Sequence, residues 1–325
     1  MKSINKTIEP FRPAWWANGG HLQTILSYYL YRPQNLLFDE AHKIELDDGD
    51  TIVMLENRPQ SAPQGAILLM HGLGSDADAP YIRRFVPSFL ERNWTVLRIN
   101  HRGAGAGEGL AKNLYHSGRS EDVSAALMRA AALYPGLPLV AAGFSLSGNM
   151  LLKLLGEQAQ PIPANMRTAF AVNPPIDLSL CARALRQKSN LIYDIRFVRL
   201  LKKTMRQRMI DFPDFPRVPL EKINSLYDFD EQITAPLNGF SSAEDYYAQC
   251  HAKQFLDGIS MPALIIASDD DPFIPRETFD NLPGSKYVKL LLTRSGGHVG
   301  FVNAHKTALG NRRWLEYAII KHSCG

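Results

Sequence analysis

The feature that most constrains this chain is a rhythm: short apolar runs rich in β-branched residues recur between longer stretches of helical periodicity. Such alternation specifies a mostly parallel sheet covered by helices. Eight candidate strands can be read: Lys43 to Leu46, Thr51 to Leu55, Ala66 to Met70, Thr95 to Ile99, Leu139 to Ala142, Thr168 to Val172, Ala263 to Ala267 and Tyr287 to Leu292. The first two flank Asp47-Asp48-Gly49-Asp50, a hairpin signal that predicts an antiparallel start. Helices are expected over Ser120 to Leu133 and Leu146 to Gln158.

The rhythm breaks between Asn173 and Met261, where helical periodicity and loops continue without a convincing strand. This interval reads as a helical cap inserted into an α/β core formed by residues 43–172 and 262–325, with residues 1–42 as an N-terminal segment packing on that core. Within the insertion, Leu191, Ile195, Val198, Met205 and Met209 share one helical face, and Arg199, Lys202, Lys203 and Arg206 share another.

Charge sharpens this division. The chain carries a net +4, yet the stretch from Cys181 to Ile210 alone holds nine basic residues and one acid, a net +8 that leaves −4 for the rest. A basic cap helix suits weak contact with anionic lipid. Nucleic acid is not expected as a partner, because the basic segment is a single helix in an otherwise acidic chain with no nucleic-acid motif. Three scattered cysteines without a C-x-x-C pair read as reduced thiols, and neither a signal-like h-region nor an 18-residue apolar run occurs, so a soluble cytoplasmic protein is expected. No cofactor or metal is expected: Asp269 to Asp271 could face a hard cation, but no second cluster completes a shell.

The chemistry concentrates where the strand Leu139 to Ala142 runs into Gly143-Phe144-Ser145-Leu146-Ser147-Gly148 and then a helix. Strand, sharp turn and helix are the context in which G-x-S-x-G lifts a serine hydroxyl clear of the backbone. Here Ser147 replaces the second glycine. A nucleophilic serine needs an acid and a base, and both follow in chain order. Ser268-Asp269-Asp270-Asp271 lies after one strand and Ser295-Gly296-Gly297-His298 after the last. His298 is the candidate base; three consecutive aspartates leave the orienting acid open. An oxyanion hole is expected from backbone N–H groups, with Leu73 in His71-Gly72-Leu73-Gly74 and Leu146 after the nucleophile as donors.

With these pieces the chain resembles the α/β-hydrolase superfamily and, within it, the AB-hydrolase-4 or YheT-like family. Further family-like stretches are Pro13-Ala14-Trp15-Trp16-Ala17-Asn18-Gly19-Gly20-His21-Leu22-Gln23-Thr24-Ile25, Asn100-His101-Arg102-Gly103 and Tyr115-His116-Ser117-Gly118-Arg119-Ser120-Glu121-Asp122. The resemblance implies an α/β-hydrolase fold and a serine hydrolase acting on carboxylic esters, from short- and medium-chain acyl esters to acylglycerol- or phospholipid-like lipids, with Ser145, Asp271 and His298 at the triad positions. The run Asp271-Pro272-Phe273-Ile274-Pro275 resembles the family's acid loop, which favours Asp271 over Asp270. The alternatives are acyl transfer to an alcohol on the same triad, or a binding protein that kept the fold without the chemistry.

Overall fold

The computed structural model describes residues 8–30 and 36–324. Readings that bear on residues 1–7 and 31–35 of the N-terminal segment therefore lie outside the described residues.

Eight strands form one sheet: β1 (Glu40–Glu45), β2 (Thr51–Asn57), β3 (Gly65–Met70), β4 (Trp94–Asn100), β5 (Leu139–Phe144), β6 (Met166–Val172), β7 (Ala263–Ser268) and β8 (Val288–Thr293), in the order β1-β2-β4-β3-β5-β6-β7-β8. β2 runs antiparallel to both β1 and β4, and every other pairing is parallel. The hairpin closes as the sequence predicts, with Gly49 at φ +84° and the Leu46 N–H donating to Asp50 O at 2.9 Å.

Consecutive strand residues point to opposite faces, and both faces are buried, so the central strands read as continuous apolar runs. Leu68, Met70 and Ala141 enter one core with the helices Ser120–Leu133 and Leu146–Glu157. Ile67, Leu69 and Ala142 enter the other with Phe85, Phe89 and the helix Trp314–Ser323. β3 lies between β4 and β5, with Met70 opposite Gly143. The connection after β3 runs to β4 on one side and the connection after β5 runs to β6 on the other, which opens a crevice at the C-terminal ends of β3 and β5.

The Asn100-His101-Arg102-Gly103 and Arg119-to-Asp122 stretches meet at this edge. Arg102, buried, makes paired bonds of 2.7 Å to both oxygens of Asp122 and bonds of 2.6 Å to Asp50 and Asp48, tying the β1–β2 turn and a helix N-terminus to the end of β4.

Between β6 and β7 the chain makes helices, chiefly Leu178–Leu185, Leu191–Asp211 and Ala243–Cys250, and no strand among the described residues. The basic helix Leu191–Asp211 buries Asp194, Val198, Leu201, Met205 and Arg208. Two residues on the expected apolar face stand outside: Leu191 and Ile195 are exposed. Tyr193 turns inward in their place, packing into the core with its ring centroid 5.2 Å from that of Phe273 and its hydroxyl 3.0 Å from His21 of the helix Gly20–Leu30. Arg208, counted with the cationic stretch in the sequence, is buried instead.

Candidate active site

β5 ends at Phe144, and Ser145 takes φ +53° and ψ −121° before the helix Leu146–Glu157 begins. A non-glycine residue held at positive φ stores strain, and here it stands where strand turns into helix. The turn is close enough that a Cβ on Gly143 would fall 2.4 Å from the Ser147 carbonyl oxygen. Only glycine fits there.

The departure at Ser147 is accommodated by polar partners. Its Oγ donates to the His71 carbonyl at 2.5 Å and lies 2.7 Å from His101 Nε2. A hydroxyl has one hydrogen, so His101 Nε2–H donates to Ser147. His71 in turn has Nδ1–H donating to Gly72 O at 2.8 Å and Nε2 accepting from the His101 backbone at 3.3 Å. The His71 ring is therefore neutral. Burial lowers His71 to about 4 and lowers His101 well below the usual histidine range, aided by the neighbouring His71. These histidines brace the loop after β3 against the elbow.

The three aspartates have separate partners. Asp271 Oδ2 lies 2.8 Å from His298 Nδ1 and accepts from Asn173 Nδ2 at 2.7 Å, while Oδ1 accepts from the Phe273 and Ile274 amides at 3.0 and 3.1 Å. Asp270 accepts from Ser295 Oγ at 2.7 Å and from the Gly297 amide at 2.8 Å. Asp269 pairs with Arg276 at 3.3 Å. The structure thus brings Asp271 to His298 and gives Asp270 to the glycine loop. With Nδ1–H held by the carboxylate, the neutral ring keeps its lone pair on Nε2.

At the expected oxyanion position, the Gly72 and Gly74 amides donate to the hydroxyls of Tyr81 at 2.9 Å and Tyr115 at 2.8 Å. The Leu73 amide between them, like that of Leu146, donates to no protein acceptor among the described residues. Burial pushes both tyrosines up to about 12, so their hydroxyls stay protonated.

Several residues that shape the site had no assigned role in the sequence. Gln23, fully buried, donates to the carbonyls of Ala17 and Val302 at 2.7 and 3.2 Å and accepts from the Val302 amide at 2.6 Å. Thr24 Oγ1 accepts from the His298 amide at 2.8 Å. A Cβ on Gly297 would fall 2.3 Å from Gly20 O. The N-terminal segment thereby clamps the histidine loop. Asn173, after β6 at φ +44°, joins that loop to Asp271 through Asp271 Oδ2 and Gly297 O. Its only sequence signal is an Asn between a strand and Pro174-Pro175.

Ser145, Leu73 and Leu146 open on a mostly apolar cavity of about 110 Å³ whose far walls include Phe197, Leu201, Met205 and Phe229 from between β6 and β7. Phe273 lines it too, and its ring centroid lies 4.0 Å from that of His298. Among the described residues, the one grouping with metal-ligand spacing is Glu40, His42 and Glu56 on β1 and β2. Arg58 already bonds both of its carboxylates.

The profile of the family described as alpha/beta hydrolase fold matches residues 65–304. "Putative esterase YheT" of Escherichia coli (strain K12) is 32% identical over 307 residues, spanning 92% of this chain and 88% of that protein. Phospholipase ABHD3 of Mus musculus is 27% identical over 315 residues, spanning 90% of this chain and 74% of the relative. Among solved structures, the Pyrococcus furiosus esterase Pf2001 superposes with a TM-score of 0.56 at 14% identity, covering 98% of this chain and all of that one, a likeness of fold.

Proposed function

Because the chain belongs to the alpha/beta hydrolase fold family, we propose that it cleaves carboxylic esters through an acyl-enzyme on Ser145, with His298 as base and Asp271 as its orienting acid. The observation that carries this is the division of labour among the aspartates, in which Asp271 alone faces the His298 ring.

In the proposed cycle, Ser145 Oγ attacks the acyl carbonyl while His298 Nε2 takes its proton. The Leu73 and Leu146 amides receive the oxygen as it becomes anionic. The protonated ring then gives its proton to the departing alkoxide, and a water activated by the same ring opens the acyl-enzyme. Asp271 holds the tautomer and offsets the charge of the imidazolium. The helices between β6 and β7 act as a cap whose apolar wall receives the acyl chain, and no metal or organic cofactor takes part. Turnover of p-nitrophenyl octanoate by the purified chain, lost in Ser145→Ala, is the expected result; equal rates in both would overturn the reading.

A lipid surface is the second element of the proposal. Exposed Leu191, Ile192 and Ile195 adjoin Arg196, whose guanidinium lies 5.3 Å from the Tyr28 ring, with Arg199 and Arg206 further along the same exposed stripe. Apolar and cationic groups side by side suit an anionic bilayer. Co-sedimentation with phosphatidylserine vesicles should fall with salt and in Ile192→Glu/Arg196→Glu; binding insensitive to both would overturn it.

A further inference from the structure

Arg208 sits at an unusual place. Its side chain is buried, and it lines both the apolar cavity that holds Ser145 and a second cavity of about 240 Å³ on the other side of Tyr115 and Thr204. Its Nε donates to Ala111 O at 3.3 Å and its Nη2 to Arg102 O at 3.4 Å, both long contacts to neutral carbonyls. Neither a carboxylate nor any acceptor for Nη1 is found among the described residues. The charges of Asp50 and Asp211 act on it from further away, but a buried guanidinium with no carboxylate in hydrogen-bonding contact is costly, and proteins ordinarily pair it directly.

The surroundings are built to keep it there. Gly103 has φ +69°, and a Cβ on it would fall 2.4 Å from Arg208 Nη2, so the loop after β4 needs glycine to admit the guanidinium. The acid nearest in sequence, Asp211, accepts from Gln207 at 2.8 Å instead. Burial pulls Arg208 down to about 10, which leaves it charged at neutral pH. The outer cavity holds Lys203 together with Asp76, Glu108 and Asp211, whereas in the apolar cavity Arg208 is the one Arg or Lys of the described lining, with Asp230 as its acid.

We propose that Arg208 binds an anionic oxygen group, a carboxylate or a phosphate, carried by the ester substrate. This rests on the ester-hydrolase reading and narrows it to amphiphilic esters with one charged end. The apolar cavity takes the chain, and the guanidinium fork between the two cavities takes the anion in paired hydrogen bonds. Arg208 is thus a specificity residue that selects among esters and leaves the chemistry to Ser145.

The test uses matched esters. Mono-p-nitrophenyl suberate is compared with p-nitrophenyl octanoate, placing a carboxylate at the far end of the chain. A second pair, 1-octanoylglycerol 3-phosphate and 1-octanoylglycerol, places a phosphate on the alcohol. The expected result is that Arg208→Gln lowers the anionic-to-neutral ratio of kcat/KM by about 10- to 100-fold in one pair, the size of a lost hydrogen-bonded charge contact, with partial recovery in Arg208→Lys. The affected pair identifies the source of the anion. Ratios unchanged in both pairs overturn the proposal. Should Arg208→Gln fail to fold, inhibition of the wild type decides: octyl phosphate or octanoate must compete at least tenfold better than octanol. Direct calorimetric binding of these anions separates the two readings, since it survives if the chain proves unable to hydrolyse any ester.

Discussion

The hydroxyl of Ser147 bridges two elements, donating to the His71 carbonyl at 2.5 Å and standing 2.7 Å from His101 Nε2. It ties the turn at Ser145 to the loop that carries the Leu73 amide. Ser147→Ala leaves a buried carbonyl and a buried ring N–H without partners, so chemical denaturation should show a loss of about 2 kcal/mol. The release of the loop should also lower kcat more than it raises KM. An unchanged kcat would separate the bridge from catalysis.

Strain at Ser145 gives an opposite pair of effects. Replacing it by glycine relieves φ +53° and should raise stability by about 1 kcal/mol. The same change should reduce ester turnover by at least about 10³-fold. Thermal melts and p-nitrophenyl ester assays on one preparation check both.

Asp270 and Asp271 should respond differently to the same substitution. Asp271→Asn disturbs the tautomer of His298 and should lower kcat by roughly 10³- to 10⁴-fold. Asp270→Asn weakens the Gly297 clamp and should act on stability first, with a much smaller loss of rate. The reverse ranking would reassign the acid.

Thr24 tests the reach of the N-terminal segment. Thr24→Val removes the acceptor of the His298 amide while keeping the side-chain shape. A fall in kcat of roughly tenfold with KM nearly constant is expected if the loop drifts by a fraction of an ångström. Wild-type kcat in Thr24→Val would limit this segment to a structural part.

Acid should weaken the fold before most carboxylates titrate. Burial lowers His71 to about 4 and His116 to about 3, whereas in an unfolded chain each titrates near ~6.5. Between these values the unfolded chain binds more protons, so stability falls as pH drops below about 6.5. Asp230, raised by burial to about 6, works in the opposite sense over the lower part of the range. Asp122 and Asp194 are raised as well, while Asp48 and Glu56 are lowered and act with the histidines; from pH 7 to 5 the three buried histidines His71, His101 and His116 set the sign. The urea midpoint should decline from pH 7 to 5, and His116→Gln should flatten that decline.

Much of the fold was legible because it rests on local signals. Strand period, the Asp-Asp-Gly-Asp turn, and the order of elbow, acid loop and histidine loop are all properties of neighbouring residues, and each strand lies within a residue or a few of its expected bounds. Less legible was the helix Leu191–Asp211. Its periodicity placed Leu191 and Ile195 on the apolar face, but at that end the residue packed into the core is Tyr193, against Phe273 and His21 from distant segments.

The sequence by itself determined an alternating α/β sheet, a serine at a strand-to-helix turn and the candidates for its partners, because hydrophobic period and turn chemistry are written in short stretches. Among three consecutive aspartates it favoured Asp271 only through the resemblance of its acid loop, and it gave no catalytic or binding role to Gln23, Thr24, Asn173 or Arg208. Only the tertiary structure decided among these. Which carboxylate meets His298, and which guanidinium lies buried between two cavities, depends on hydrogen bonds between segments 27 to 106 residues apart, and no local pattern encodes such contacts.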